Sequence, residues 1–306
     1  MATNIHKYID LHTHTYHSDG VLSPTQLVEK AKEAGLSAIA ITDHDSINGI
    51  EEGLVVGKKL GVEVIPGVEI TSFPDEKHEF HFLGYFINWQ DRPLQKALEK
   101  SQKAREERAK KVVKNLNRLG YEINFGNLRA LTRGTIVMPH IAWVVINDKN
   151  NRQKLIKEFG SVPSTGDIIE KYLVPGAPAY EARKTFGQKE AVDLIQSSGG
   201  VVVLAHPCWS LTEKQGTVLI HDDRKLNQVT KLGIDGLEAL AHRDNKEDTE
   251  KCVKHYEKFA EENNLLITGG SDYHGFGSAG KDLGYVDFYL KVPYEILEKL
   301  KARHER

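Results

Sequence analysis

YIDLHTH at residues 8–14 and VVVLAHP at residues 201–207 share one pattern, in which a short apolar run ends in histidine. Three further stretches end in a similar way: SAIAITDHD at 37–45, VEVIPGVE at 62–69 and LLITGGSDYH at 265–274. Short apolar runs bounded by turn residues are typical of buried β-strands. Because His, Asp and Glu bind divalent ions, these repeated strand ends predict a metal centre assembled from five segments.

The stretches between these strands predict helices. Ser23 and Pro24 are suited to the N-cap and first position of a helix, and Gly35 is placed to end it. A second helix is predicted from Ile50 to Leu60. Short strands that alternate with helices of roughly 10–15 residues indicate parallel strands joined by helical crossovers. The predicted fold class is therefore α/β, with a barrel-like domain.

The alternation of strand and helix stops after Phe86 and resumes at Gln188. Between these points the composition is helical, with helices predicted at 93–119, 140–146 and 152–159. Residues 91–184 contain 19 Lys and Arg against 10 Asp and Glu, although the whole chain has a net charge of −2. We therefore predict a barrel from residues 1–90 and 185–306, and a mostly helical insertion, 91–184, as a substrate-side cap. Its positive charge favours an anionic substrate, unless these side chains only solvate helix faces.

Composition excludes several classes of protein. The chain has 306 residues, of which 40% are hydrophobic and 27% charged, as in ordinary globular proteins. No apolar run approaches the roughly 20 residues of a membrane helix, and the N-terminus lacks a signal-peptide pattern. Cys208 and Cys252 do not imply a disulfide framework. We predict a cytoplasmic protein with no membrane role.

Eight side chains at the strand ends and in the adjoining loop are the candidate metal ligands and the candidate catalytic residues. They are His12, His14, Asp19, His44, Glu69, His206, Asp272 and His274. His12 and His14 lie two residues apart on a strand, so their side chains share one face. The C-terminal strand ends of an α/β barrel line its active site, where these residues would converge. A lone histidine is usually a structural residue, but placement at five strand ends favours metal binding.

Six motifs follow one another along the chain: DLHTHTYHSDG (10–20), ITDHDS (41–46), IPGVEI (65–70), HFLGYF (81–86), LAHP (204–207) and SDYHG (271–275). In this order they resemble the motifs of the PHP (polymerase and histidinol phosphatase) superfamily. The helical insertion is similar to that of stand-alone PHP phosphoesterases, namely 3′,5′-nucleoside bisphosphate (AMP) phosphatases and related 5′-to-3′ exoribonucleases. The resemblance implies a distorted (β/α)7 barrel that binds two or three divalent ions, Mn, Zn or Fe.

Mapped by motif, the resemblance also implies how the ligands are shared. One ion would take His12, His14, Glu69 and Asp272; a second would take Glu69, His81 and His206; a third would take Asp19, His44 and His274. His81 enters only through the resemblance, and His78 is the competing candidate.

The residues around the ligands leave two questions open. Asp43 and Asp45 flank His44 and either orient imidazoles or shape the loop, of which the second is favoured. His206 or His274 is a candidate acid for the leaving oxygen, although a histidine bound to metal is a poor acid.

Substrate contacts are expected from the insertion. The resemblance implies Arg108, in AREERAKK, and Arg133 lies in the loop before MPHIA (138–142). Both arginines are equally compatible with a solvated surface, and His140 either reaches substrate or caps a helix. Relatives often have arginine where this chain has Met138. That departure would weaken a phosphate contact, move it to Arg133 or change the preferred substrate.

The predicted function is metal-dependent hydrolysis of phosphate esters in nucleotides or short, single-stranded 5′-phosphorylated oligonucleotides. One alternative is a phosphatase for a small metabolite such as histidinol phosphate. Another is a non-catalytic metal-binding regulatory module, which is disfavoured because every motif position is filled. The overall charge does not support stable binding of duplex nucleic acid.

Overall fold

The computed structural model describes residues 7–75, 78–183, 185–275, 282–286 and 290–306. Its strands are β1 (Tyr8–Thr13), β2 (Ala38–Ile41), β3 (Glu63–Ser72), β4 (Phe80–Tyr85), β5 (Val201–Leu204), β6 (Thr212–Gln215), β7 (Val218–His221), β8 (Gly236–Leu240), β9 (Leu266–Gly269), β10 (Tyr285–Val286) and β11 (Leu290–Pro293). Its α-helices are α1 (Pro24–Glu33), α2 (Ile50–Leu60), α3 (Arg92–Arg118), α4 (Phe125–Leu131), α5 (Met138–Asn147), α6 (Arg152–Phe159), α7 (Thr165–Ile168), α8 (Gln188–Ser197), α9 (Pro207–Ser210), α10 (Asp223–Thr230), α11 (Lys246–Glu262) and α12 (Glu295–His304). A 3-10 turn (Lys149–Asn151) and a π-turn (Ile169–Leu173) lie in the insertion.

One sheet forms the wall of the barrel. Within the described residues it has nine strands, in the order β10-β11-β1-β2-β3-β4-β5-β8-β9. The sheet curls until the end of β1 meets the segment after β9, where His14 N donates to Tyr273 O at 2.9 Å. A bridge between Thr13 and Tyr273 closes the same gap. The seven strands from β1 to β9 in this order thus form a nearly closed barrel, which confirms the predicted distorted (β/α)7 fold.

β4 departs from the expected parallel arrangement. It runs antiparallel to both neighbours, with Leu83 opposite Glu69 of β3 and Phe82 opposite Leu204 of β5. Only residues 73–79 join β3 to β4, and a parallel partner needs a crossover of about a dozen residues or more. The expectation of parallel strands is therefore wrong here. The reversal places the start of β4, rather than its end, beside the C-terminal ends of the parallel strands.

Local sequence explains the helix bounds. At the start of α1, Ser23 Oγ accepts from Gln26 N at 3.0 Å and Gln26 Oε1 accepts from Ser23 N at 2.9 Å, which is a capping box. Gly35, at φ 73°, follows the end of α1 in the left-handed region. These caps and the bounds of α2, α3 and α6 agree with the sequence-based predictions to within a residue or two.

Two hydrophobic cores are joined by α3. Its first half contributes Leu94 and Leu98 to the barrel core, and its second half contributes Val112 and Leu116 to a core built from residues 109–179. The predicted insertion therefore packs around its own apolar centre. The boundaries at 90/91 and 184/185 stay predictions, and Lys184 lies outside the described residues. Among the described residues, no helix combines the length and apolarity that crossing a bilayer requires.

Candidate metal centre

The nine candidate ligands meet at the end of the barrel to which β1, β2, β5 and β9 point. His12 is the last but one residue of β1, and His14 and Asp19 lie in the loop that follows this strand. His44 follows β2, and His206 follows β5 at the start of α9. Asp272 and His274 follow β9. Glu69 and His81 come from β3 and from the reversed strand β4.

Glu69 is the centre of the cluster, and its side chain is fully buried. Its Oε2 lies 3.2 Å from His12 Nε2, 3.3 Å from His14 Nε2 and 3.0 Å from His44 Nδ1. Its Oε1 lies 2.7 Å from His81 Nδ1 and 3.2 Å from His206 Nε2. One carboxylate surrounded by five imidazoles is the arrangement expected of a ligand that bridges ions.

The ligand atoms form four overlapping groups, each with its atoms within 4.8 Å of one another. These are His14/Asp19/His44/His274, His12/His14/Asp272, His12/Glu69/His206 and His44/Glu69/His81. The groups differ from the implied sharing, because His14 also stands with Asp19 and because His81 and His206 fall into separate groups, with His44 and His12 respectively. The division of ligands among ions therefore stays a prediction.

Buried ligand atoms without hydrogen bonds indicate that this donor set fits metal ions. In the described part of the chain, His12 Nε2, His14 Nε2, Asp19 Oδ1, His44 Nδ1 and Glu69 Oε2 are buried and have no hydrogen-bond partner. An unsatisfied buried polar atom costs about 1–3 kcal/mol, and a cation would satisfy all five. Imidazole and carboxylate together suit Zn, Mn or Fe.

Opposite charges outweigh burial at Glu69, His14 and His81, whereas burial prevails at His44 and lowers its pKa. Burial acts to raise the pKa of Glu69, but His44 and His12 hold that pKa well below its usual range. Burial acts to lower the pKa of His14 and of His81, yet the adjoining carboxylates raise both to about 10. Imidazoles and carboxylates thus titrate as one coupled group, and a metal ion must displace the histidine protons to bind.

Glu238, in the middle of β8, holds two candidate ligands from behind. Its Oε1 accepts from His12 Nδ1 at 2.9 Å and its Oε2 from His206 N at 2.8 Å. A carboxylate on the far nitrogen of a histidine fixes the ring and directs its other nitrogen toward the metal position. Sequence reasoning missed Glu238. The signal was an acidic residue in the apolar strand DGLEAL (235–240).

Asp10 and Gly270 position the ligands after β9. Asp10 is buried and accepts from His12 N at 3.2 Å and from Ser271 N at 3.0 Å. A Cβ on Gly270 would lie 2.4 Å from His12 Cβ, so only glycine permits this approach. Asp272 has φ 52°, a left-handed conformation that non-glycine residues adopt at some energetic cost.

The aspartates beside His44 have different contacts. Asp43 accepts from Thr15 N at 2.7 Å and from Ser18 Oγ at 2.6 Å. It therefore orders the loop after β1, and the loop-shaping interpretation is confirmed for this residue. Asp45 instead accepts from Arg105 Nε of α3 at 2.7 Å and so connects the site to the insertion.

The structure separates the two histidines that competed for one ligand position. His78 is exposed, with Nδ1 2.8 Å from Asp75 Oδ2. His81 lies against Glu69 inside the cluster, and its Nε2 lies 2.9 Å from Glu79 Oε1. The geometry thus brings His81 to the centre and leaves His78 outside it.

The three predicted substrate contacts occupy different positions in the insertion. Arg108 is half-buried and donates from Nε to Glu181 O at 2.7 Å. Arg133 is exposed, with its guanidinium 5.2 Å from the ring centre of Tyr16, in the loop that carries Asp19. His140 Nδ1 accepts from Val137 N at 3.3 Å and thereby caps α5.

The charges of the candidate metal centre also act on His140. Burial lowers the pKa of His140, and the charges of Asp19 and His274 act on it as well. His140 thus caps α5, and its contact with substrate stays a prediction. Met138 is the first residue of α5.

A nearly closed α/β barrel with histidines and carboxylates gathered at its strand ends defines a metal-dependent hydrolase. The family model of the PHP domain matches residues 10–169. The chain belongs to the PHP domain family.

Two curated relatives span almost the whole chain. A 5′-3′ exoribonuclease of Haemophilus influenzae is 32% identical over 291 residues, which cover 94% of this chain and 98% of that one. A 3′,5′-nucleoside bisphosphate phosphatase of Chromobacterium violaceum is 27% identical over 296 residues, which cover 96% and 97%.

Two solved structures share the fold over nearly their full length. A proposed metal-dependent phosphoesterase of Bifidobacterium adolescentis superposes with a TM-score of 0.76 at 26% identity, covering 97% of this chain and 96% of that one. An amidohydrolase of Chromobacterium violaceum, with bound sulfate and no metal, has a TM-score of 0.77 at 26% identity and the same coverage. Together with the family match, these relatives confirm the predicted phosphoesterase class.

Proposed function

We propose that this PHP enzyme hydrolyses phosphate esters of nucleotides, of the 3′,5′-bisphosphate or AMP type, or of short 5′-phosphorylated single strands. The observation that carries the proposal is Glu69, which lies against five imidazoles at the strand ends. The names and near-complete coverage of the exoribonuclease and bisphosphate phosphatase relatives support the substrate class.

Two or three ions of Mn, Zn or Fe would be held by the ligand groups predicted from the motifs. His12, His14, Glu69 and Asp272 form the first group, Glu69, His81 and His206 the second, and Asp19, His44 and His274 the third. When bound, such ions lower the pKa of water and hold phosphate oxygens for in-line attack. Glu238 holds the ring of His12, whose other nitrogen would bind an ion, and Asp43 keeps the loop of His14 and Asp19 in place.

The insertion would act as the substrate-side cap. His140, in the first turn of α5, is subject to the charges of Asp19 and His274 and would contact a phosphate bound at the centre. Arg133 lies beside Tyr16, in the loop that carries His14 and Asp19. It would contact phosphate in place of the arginine that relatives often have at the position of Met138. Arg108 lies further along α3 and would contact the remainder of the substrate.

Hydrolysis of four substrates tests the proposal. Metal-stripped protein reloaded with Mn is assayed for phosphate release from adenosine 3′,5′-bisphosphate, 5′-AMP and histidinol phosphate, and for release of nucleoside monophosphates from a short 5′-phosphorylated RNA. We expect metal-dependent turnover on the nucleotide substrates, with RNA rates that fall when the strand is paired. Fastest turnover on histidinol phosphate would favour the metabolite phosphatase, and no turnover on any substrate would favour the non-catalytic module. Asp272→Ala is expected to abolish turnover while the fold is retained.

A further inference from the structure

A buried group of charges lies where the insertion joins the barrel. Arg105 of α3 and Arg183, near the end of the insertion, are 6% and 7% exposed, and both face Asp45, which is fully buried. Arg105 Nε and Nη2 each lie 2.7 Å from Asp45 Oδ2. Arg183 Nη2 lies 3.5 Å from the same oxygen and, among the described residues, has no hydrogen-bond partner.

The group has more positive charge than its buried carboxylate can neutralise. Arg105 occupies Asp45 Oδ2 with two nitrogens, so Arg183 shares a carboxylate that is already paired. Burial, and then the like charge of Arg105, lower the pKa of Arg183. The charge of Glu79 also acts on Arg183, but the side chain of Glu79 is 47% exposed and lies against His81. A buried charge without a full partner is costly, and an anion that entered here would supply one.

This group adjoins the metal centre. Thr71, whose Oγ1 accepts from Arg105 Nη2 at 2.8 Å, is paired with His81 across β3 and β4. Asp45 directly follows His44 in the chain. Asp45 and Thr71, which contact the guanidinium of Arg105, therefore lie next to two candidate ligands. These ligands are His44 in the chain and His81 across the sheet. A substrate with a phosphate on the ions would have its next anionic group near these arginines.

We propose that Arg183, together with Arg105, forms a second anion subsite that binds the phosphate of a nucleotide substrate that is not cleaved. The inference rests on the proposed nucleotide phosphoesterase activity and identifies the part of the site that selects doubly phosphorylated substrates. Guanidinium groups suit this task because their planar nitrogens pair with two phosphate oxygens at once.

The test compares substrates with and without a second phosphate. In Arg183→Met the charge is removed, while Asp45 keeps its pair with Arg105, so the fold is expected to persist. We expect kcat/KM for adenosine 3′,5′-bisphosphate to fall about tenfold or more, chiefly through KM, whereas kcat/KM for p-nitrophenyl phosphate changes less than about twofold. Arg183→Lys should recover part of the loss. Arg118→Met, at an exposed arginine of the same insertion, should leave both substrates unaffected.

Equal losses on both substrates would show that Arg183 is only structural, and unchanged kinetics on the bisphosphate would also overturn the subsite. If the wild-type enzyme hydrolyses neither substrate, the proposed function fails, and the subsite is then judged by binding. Sulfate stabilises folded proteins in general, but it should raise the Tm of the chelator-treated wild-type protein more than that of Arg183→Met. An equal rise in the two proteins would overturn the subsite independently of activity.

Discussion

Glu238 orients candidate metal ligands although it is not itself a candidate ligand. It accepts from His12 Nδ1 and from His206 N, so it fixes both a ring and a backbone turn. In Glu238→Gln the negative charge is lost and the orientation of His12 is weakened. We expect the Mn affinity to fall about 10–100-fold, measured by competition with a chromogenic chelator, with little change in circular dichroism.

The matched control is Glu63→Gln, at the first residue of β3. Glu63 contacts Tyr294 and Lys301 and is remote from the centre. Its replacement should leave the Mn affinity unchanged. An equal Mn affinity for Glu238→Gln and the wild type would show that Glu238 has no orienting role.

At Gly134 the insertion packs against the loop that follows β1. A Cβ at Gly134 would lie 2.0 Å from His17 O, and Thr135 N donates to the same oxygen at 3.0 Å. Backbone cannot yield to such an overlap, so in Gly134→Ala the insertion must shift from the loop that carries His14 and Asp19. We expect KM for the nucleotide substrate to rise several-fold or more while metal content stays constant, measured by steady-state kinetics and elemental analysis.

Gly166→Ala provides the comparison for this prediction. Gly166 lies in α7 of the same insertion, and the nearest atom to a Cβ there is Ser164 Oγ at 3.6 Å. Because alanine fits, KM should not change and the free energy of unfolding should stay equal or rise by about 0.4–1 kcal/mol. An unaltered KM in Gly134→Ala would mean that this contact does not position the substrate.

At the scale of the molecule, protons and metal ions compete for the same imidazole nitrogens in the candidate metal centre. Without metal, carboxylates raise the pKa of His14 and His81 to about 10, above the ordinary value of 6.5. A raised pKa in the folded state contributes stability that is complete below about pH 6.5 and is lost as the pH rises toward 10. Metal binding requires neutral histidines, so the affinity of the metal rises over the same range.

Removal of the metal should therefore lower the Tm by a larger amount at higher pH. We expect the difference in Tm between Mn-loaded and metal-stripped protein to widen between about pH 6 and pH 8.5, measured by calorimetry at fixed free Mn. Titration calorimetry in two buffers of different ionisation enthalpy should detect protons released on binding. A difference in Tm that is constant with pH, with no proton release, would contradict the raised pKa values of these histidines.

How much of the structure can be predicted from the sequence depends on how far apart in the chain the interacting residues are. The caps of α1 are local and were predicted from Ser23, Pro24 and Gly35. The strand-end rule located eight candidate ligands, which the structure brings together because β1, β2, β3, β5 and β9 run in one direction. It could not find His81, which lies near the start of a reversed strand, and only the family resemblance indicated it. The strand β6, whose sequence is TEKQ, has no apolar pattern that would predict it.

The supporting contacts are the least predictable from sequence, because they join distant segments. Glu238 is 226 residues from His12, and Arg105 is 60 residues from Asp45. A buried acid in an apolar strand signals only that some partner exists. Which partner it meets is decided by how the barrel curls.

The path of the chain at β4 and β5 has a consequence for how such enzymes diversify. Tyr85, the last residue of β4, is paired with Val201, the first of β5. The chain thus leaves the barrel and re-enters it at neighbouring points, and the insertion lies between two hydrogen-bonded strands. An insertion whose ends are adjacent can be lengthened, shortened or exchanged without altering the register of the barrel strands. On the proposed function, chimeric enzymes that exchange the insertion between relatives would keep the reactivity of the barrel and change in selectivity.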